Sequence, residues 1–392
     1  MITAIKSKYL FTATSTGVIE DSLVVVEGSK IVYAGAASKS SIPLDAKVID
    51  LGNQMVMPGL IDAHTHLPQI GERLIYESMT PGQGTLALEA TRNIRRDLLS
   101  GVTTMRVLGT QNFDDIPIVH AVRNGIVPGP RLLTATRHIH ASNGHGYGKG
   151  YDGSDEIRRA VRENLRAGAD VIKIMATGSV DLYGGHFCQE YSREEMETAV
   201  IEANRVGKRV AAHAIRPPEI CECLEVGVKT IEHGHMLDDS CIEKLLEHDA
   251  WLVGTLAIVL DEDVLSKDLE ANPDFANIEW FPRRRVAADN YRKAIEAGVK
   301  YASGTDAMHG DLPTEIEKLV TVAEVPADTA ILSVTRNAAD ACDVLNLVGT
   351  LEVGKCADII SVKGNPLENI NVMHDVDLIM KNGRRYDHLS AI

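Results

Sequence analysis

The sequence predicts an α/β protein: a (β/α)8 TIM barrel with a small β-sandwich built from both chain ends. Three observations carry this expectation. Short apolar runs alternate with longer amphipathic segments through the middle of the chain, helix-like segments repeatedly end in glycine, and strand-and-turn texture marks both ends.

In chain order, the first element is a hairpin. Residues 22–27 and 31–35 are rich in valine and isoleucine and flank Gly28-Ser-Lys30, a spacing that predicts two antiparallel strands and a tight turn. A strand at about 56–64 opens the barrel. Seven more are expected at 102–108, 131–135, 171–175, 209–214, 230–234, 251–255 and 301–306, which makes eight. Helices are expected over 85–100, 155–167 and 192–206. Gly101, Gly168, Gly207, Gly227 and Gly298 each stand between a helical segment and a strand, where glycine supplies the left-handed C-cap at little steric cost. No Gly-x-Gly-x-x-Gly turn accompanies the first strand, which favours a barrel over a doubly wound sheet. Strand texture returns at 357–362 and 376–383, so the two ends are expected to form one module. The expected boundaries are 1–57 for the first part of the sandwich, 58–348 for the barrel and 349–392 for the second part.

Composition narrows the function. A chain of 392 residues with 44% hydrophobic and 24% charged residues can bury a substantial core and lacks the signature of disorder. Its formal net charge of −15 argues against nucleic acid or an anionic membrane as partner. No long apolar run suggests a membrane span or a signal h-region, so a soluble, cytoplasmic protein is expected. Six cysteines are too few for a disulfide scaffold, and Cys221 and Cys223, two apart on a helix, point to different faces. A homo-oligomer is compatible with all of this.

The chemistry-bearing residues cluster at strand ends. His64-Thr65-His66 follows an apolar run, and residues i and i+2 of a strand share a face, so two imidazoles can reach one ion. An isolated His-x-His is more often an ordinary core or surface pair. Here Lys173, His213, His233 and Asp306 each stand at or near the end of a further strand, and all strand C-termini of a barrel converge on one face. Lys173 lies in an apolar strand, where burial disfavours its charge. Conversion to a carbamate would make it an anionic bridge between metals; an acid partner or a path to the surface is the alternative.

Five motifs in order resemble those of the amidohydrolase superfamily: Pro58-Gly-Leu-Ile-Asp-Ala-His-Thr-His66, Val171-Ile-Lys-Ile-Met175, Ala211-Ala-His-Ala214, Ile231-Glu-His-Gly234 and Ser303-Gly-Thr-Asp306. The imidazolonepropionase-like branch, with its metal-dependent dipeptidases of Xaa-Pro or Xaa-Arg type, is the most similar. Val353-Gly-Lys-Cys-Ala-Asp358 and Gly364-Asn-Pro-Leu367 resemble the family's return to its sandwich. The resemblance implies two divalent metal ions, with His64, His66 and Asp306 on one, His213 and His233 on the other, and carboxylated Lys173 as the bridge. Such ligands suit zinc. It further implies a metal-bridging hydroxide that attacks an amide carbonyl, with Asp306 as proton shuttle.

His145, in Asn143-Gly-His-Gly-Tyr-Gly148, resembles a Gly-His-Gly element of this branch and is the second catalytic candidate, to polarise the carbonyl or orient a carboxylate; a loop histidine without a chemical role is the alternative. Tyr183, Arg216 and His309 follow other strand ends and, with His140, are the candidates for the substrate mouth. Arg216 has the planar fork a carboxylate clamp needs, and an acidic neighbour would equally hold it. His138, His186 and His235 are expected around the ligands or at the surface. Met105-Arg-Val-Leu-Gly109 carries Val107 where the branch has an acid, a departure that touches substrate preference rather than reaction type. The expected substrate is a small molecule, a dipeptide or N-acyl amino acid. A cyclic amide or a deaminated heterocycle is the alternative, and a noncatalytic metal-binding barrel would show gaps among the ligand positions.

Overall fold

The computed structural model describes residues 1–67, 83–146, 148–178, 187–262, 266 and 284–387. The first five strands belong to the end module: β1 (Ile2–Phe11), β2 (Val18–Glu27), β3 (Lys30–Ala36), β4 (Lys47–Asp50) and β5 (Met55–Pro58). The expected hairpin is β2–β3, with Glu27 paired to Lys30 across a two-residue turn. Gly28 takes φ 58 there, a conformation glycine adopts without a Cβ penalty.

Eight further strands alternate with helices: β6 (Leu60–Thr65), β7 (Val102–Val107), β8 (Arg131–Thr134), β9 (Ile172–Met175), β10 (Val210–Ala214), β11 (Thr230–His233), β12 (Trp251–Gly254) and β13 (Lys300–Ser303). After β6 comes α1 (Gln83–Leu99), after β7 α2 (Asp115–Arg123), after β8 α3 (Gly153–Ala167) and after β9 α4 (Arg193–Asn204). Then follow α5 (Pro217–Glu225), α6 (Asp239–Glu247), α7 (Leu256–Leu260), α8 (Val286–Glu296) and α9 (Leu312–Thr321). Two short helices, α10 (Ala327–Ser333) and α11 (Arg336–Ala341), lead to β14 (Ile359–Val362), β15 (Val376–Lys381) and β16 (Arg384–Arg385).

Local signals explain the helix limits. Ser192 and Glu195 form a reciprocal capping box that starts α4. Gly168 ends α3 at φ 107, its N–H donating to the Asn164 and Leu165 carbonyls.

The strands β6–β8 form one parallel sheet and β9–β13 another. The two meet at both margins. Beyond β8, Ile139 bridges Ile174 of β9 in parallel register. Beyond β13, the Thr305 and Asp306 N–H groups donate to the His64 carbonyl at 3.0 and 2.9 Å. The chain ends join in a single eight-stranded sheet of order β16-β15-β14-β5-β1-β2-β3, with β4 parallel to β1. Its core combines Ile5, Leu10, Val24 and Val56 with Leu351, Ile359 and Met380, so the module requires both ends of the chain.

Candidate active site

Parallel register sets the rows of the site. Lys173 pairs with Ala211 and Met175 with His213, while His213 pairs with Glu232, so Lys173, His213 and Glu232 all project from the same face of adjoining strands. Strict alternation would send His233 to the opposite face from Glu232. His233 instead has φ 70, a left-handed turn at the strand end that re-aims its ring. Both residues then reach His64: Glu232 Oε2 is 2.8 Å from His64 Nδ1, and the His64 and His233 ring centroids are 4.5 Å apart. Asp306, at φ 51, turns the same way beyond β13, which brings Oδ1 to 3.4 Å from His64 Nε2 and 3.5 Å from His66 Nε2.

The cluster widens through His213, whose ring lies 4.7 Å from His233 and 4.6 Å from His145. Among the described residues, His64, His233 and Asp306 offer ligand atoms that all lie within 4.8 Å of one another. Lys173 is buried, and its Nζ has no hydrogen-bond partner among the described residues.

Burial sets the charge states. It pushes His66 down to about 4, and it holds His213 and His233 well below the usual histidine range. Neutral imidazoles are what a metal needs as ligands. Burial pulls the Lys173 amine down to about 8, against the raising influence of Glu232 and Asp306. For Asp306 burial works towards protonation, but His64, His233 and His66 outweigh it and keep the carboxyl well below its ordinary value. The donors are nitrogens and carboxylate oxygens, a set suited to divalent transition metals. The orphaned Lys173 amine among them fits the same group.

Behind the ligands lies a buried charge network. Burial would raise Glu232, yet Arg106 and His64 hold its carboxyl down at about 2. Arg106 Nη2 donates to Glu232 Oε1 at 2.8 Å, its Nη1 to Thr230 Oγ1 at 3.1 Å and its Nε to the Ala63 carbonyl at 2.6 Å. An ionised Glu232 accepts from Nδ1–H of His64, leaving Nε2 for a ligand. The Gly109 carbonyl does the same for His66 Nδ1 at 3.0 Å, and Thr255 Oγ1 lies 2.9 Å from His233 Nδ1. Asp62 Oδ1 accepts from the N–H groups of His64 and Thr305, and its Oδ2 accepts from Thr305 Oγ1 at 2.6 Å, tying β6 to the turn that carries Asp306.

Two expected outcomes follow here. Glu232→Gln should lower affinity for a divalent metal by about 10–100-fold, the usual cost of losing a partner that orients a ligand, if His64 is one; competition against a chelating dye measures it, and unchanged affinity would refute the orienting role. Gly304 touches β6 so closely that a Cβ there would lie 2.4 Å from His64 N. Gly304→Ala should therefore cost about 1–3 kcal/mol of stability by overpacking, read from denaturant unfolding.

The remaining sequence candidates lie as follows. His145 joins the cluster beside His213. His140 is buried, with Nδ1 2.9 Å from the Ala141 carbonyl and its ring 5.1 Å from His138. His309 is buried with Nδ1 2.8 Å from Asp97 Oδ2 of α1. Arg216 forms a two-point contact with Glu219, the first turn of α5. Tyr183 and His186 lie outside the described residues. Sequence reasoning passed over Arg106, Glu232 and Asp62. The signal was present for Arg106, a lone cation inside an apolar strand, as Lys173 is.

The amidohydrolase family pattern matches residues 55–386, which takes in every candidate ligand position above. The chain belongs to the amidohydrolase family. As an amidohydrolase it is an enzyme that hydrolyses C–N bonds, in a family that is generally metal-dependent. It is 30% identical to an ochratoxinase of Aspergillus niger over 85% of this chain and 75% of that enzyme. It is 26% identical to an imidazolonepropionase of Geobacillus over 94% of this chain and 90% of the other. The structure of an Xaa-Pro dipeptidase with methionine bound in its active site superposes with a TM-score of 0.88 at 29% identity, covering 98% of this chain and 100% of that one. The amidohydrolase's described residues include no helix long and apolar enough to cross a membrane.

Proposed function

We propose that this amidohydrolase cleaves the amide bond of a dipeptide or N-acyl amino acid. The observation that carries the reading is the convergence of His64, His66, His213, His233 and Asp306, with buried Lys173 close by, from five different strands and the turns that follow them. In this reading the two parallel sheets close into one barrel over 58–348, and the segments 1–57 and 349–392 make the β-sandwich. His64, His66 and Asp306 would hold one divalent ion and His213 and His233 the other, with carboxylated Lys173 between them and zinc the preferred metal. When bound, such ions polarise the scissile carbonyl and acidify water towards neutral pH.

The chain's own groups divide the rest of the work. The Asp306 carboxylate accepts the proton of the attacking water and returns it to the leaving nitrogen. His145, its ring 4.6 Å from that of His213, donates to the carbonyl oxygen of the substrate. His140, Tyr183, Arg216 and His309 are assigned to the mouth, and for Arg216 a clamp on the substrate carboxylate requires exchange of its Glu219 contact. The compartment is the cytoplasm, and neither nucleic acid nor membrane is a partner.

Metal analysis of the purified protein, alongside hydrolysis of a panel of dipeptides and N-acyl amino acids, tests the reading. About two metals per chain with turnover of one panel member is the expected result; a metal-free protein that hydrolyses none would overturn it. The imidazolonepropionase relative favours a second reading, opening of a cyclic amide or deamination of a small heterocycle. Adding such ring substrates to the panel separates the two.

A further inference from the structure

We propose that Glu190 is a positioning residue, a carboxylate clamp that fixes the loop bearing His145 over the active site. This inference rests on the assignment of His145 to the substrate carbonyl.

The clamp has a firm base. Glu190 N–H donates to the Ala176 carbonyl at 3.0 Å, and Gly178 N–H to the Cys188 carbonyl at 2.7 Å, so the segment holding Glu190 is pinned to the chain leaving β9, the strand of Lys173. From there the carboxylate reaches across to a different βα connection. Its Oε2 accepts from Ala141 N–H at 3.1 Å and its Oε1 from His145 N–H. Two backbone donors at the start and the functional position of one loop thus converge on one side chain.

The loop is shaped to receive it. Gly144 N–H donates to the Ala141 carbonyl at 2.9 Å, closing a turn around the carboxylate. A Cβ at Gly144 would overlap the Glu190 carboxyl group, and one at Gly146 would lie 2.5 Å from the His140 ring. The Gly-His-Gly sequence is therefore a steric requirement on both sides of His145. Glycine on one side admits the clamp, and glycine on the other admits His140. Tyr151 N–H donates to the His140 carbonyl at 2.8 Å and closes the far end of the loop. Held this way, the His145 ring stands 4.6 Å from His213.

Glutamine has the same shape as glutamate but offers one acceptor oxygen and turns an N–H2 towards the second donor, so Glu190→Gln breaks half the clamp without removing bulk. Placement errors of about 1 Å cost about 10²-fold in rate, so kcat should fall by about that factor on the panel dipeptide hydrolysed fastest, with zinc content unchanged. Hydrogen exchange of the Ala141 and His145 amides should accelerate, whichever substrate is used.

A double-mutant cycle with His145→Ala decides between positioning and general structural support. If Glu190 acts through His145, adding Glu190→Gln to His145→Ala changes kcat by less than about twofold. Multiplying effects, or unchanged amide exchange in Glu190→Gln, would overturn the clamp while leaving the role of His145 intact. A His145→Ala enzyme with full kcat would overturn both. Gly144→Ala, which pushes on the same carboxylate from the loop side, is expected to reproduce the Glu190→Gln pattern and replaces it if that variant does not fold.

Discussion

Lys173→Ala is expected to lose most of its metal and to lower kcat by more than about 10²-fold, since under the proposed function it removes a group in the ligand shell itself rather than one behind it. The expectation comes from a buried amine with no hydrogen-bond partner among the described residues, drawn down to about 8 by burial beside Glu232 and Asp306. Such a group is expensive as an ammonium and useful as a bridging carbamate. Added acetate or propionate should restore part of both metal content and activity by supplying the missing anion to the space the side chain leaves. A second substitution isolates the chemical role. Lys173→Met keeps the length without the polar atom, so with both proteins stripped of metal its melting temperature should match or exceed that of the parent, while activity is still lost when metal is supplied. Full metal occupancy with normal turnover in Lys173→Ala would remove Lys173 from the metal site.

The strands were legible because each is a short apolar run bounded by polar residues or glycine, and the eight expected runs coincide with β5–β6 and β7–β13 to within a few residues. The pairing of β14 with β5 was less accessible. Both are apolar strands about 300 residues apart, and no local periodicity encodes that register. In the site, His64, His66, His213, His233 and Asp306 stood out as polar residues at the ends of apolar strands. Their convergence also depends on the positive φ of His233 and Asp306, which alternation along a strand does not reveal. The Arg106–Glu232 pair was hidden for a related reason: each partner reads as a single charge in an apolar run, and only the fold places one against the other. Arg216 illustrates the opposite case. Glu219 stands three residues away at the start of α5, so the partner that occupies the guanidinium was visible in the sequence itself.

Asp306→Asn is expected to reduce kcat by about two to four orders of magnitude while KM changes far less, because general acid–base transfer is lost and substrate contacts are not. The geometry around Asp306 is held by groups other than its own carboxylate. Thr305 is fixed by Asp62 through both its N–H and its hydroxyl, and the Asp306 N–H donates to the His64 carbonyl. An asparagine should therefore keep the φ 51 turn, which asparagine adopts more readily than most residues, and should present an oxygen near His64 and His66. What it cannot do is accept a proton from water and pass it to a leaving nitrogen. Metal content measured on the same preparation separates this loss from loss of the ion on His64 and His66: kcat that falls with both metals retained isolates the proton role, and kcat that falls only in proportion to lost metal assigns Asp306 to ligation alone. Near-normal kcat with both metals retained would move the proton transfer to His145, whose ring lies 4.6 Å from that of His213.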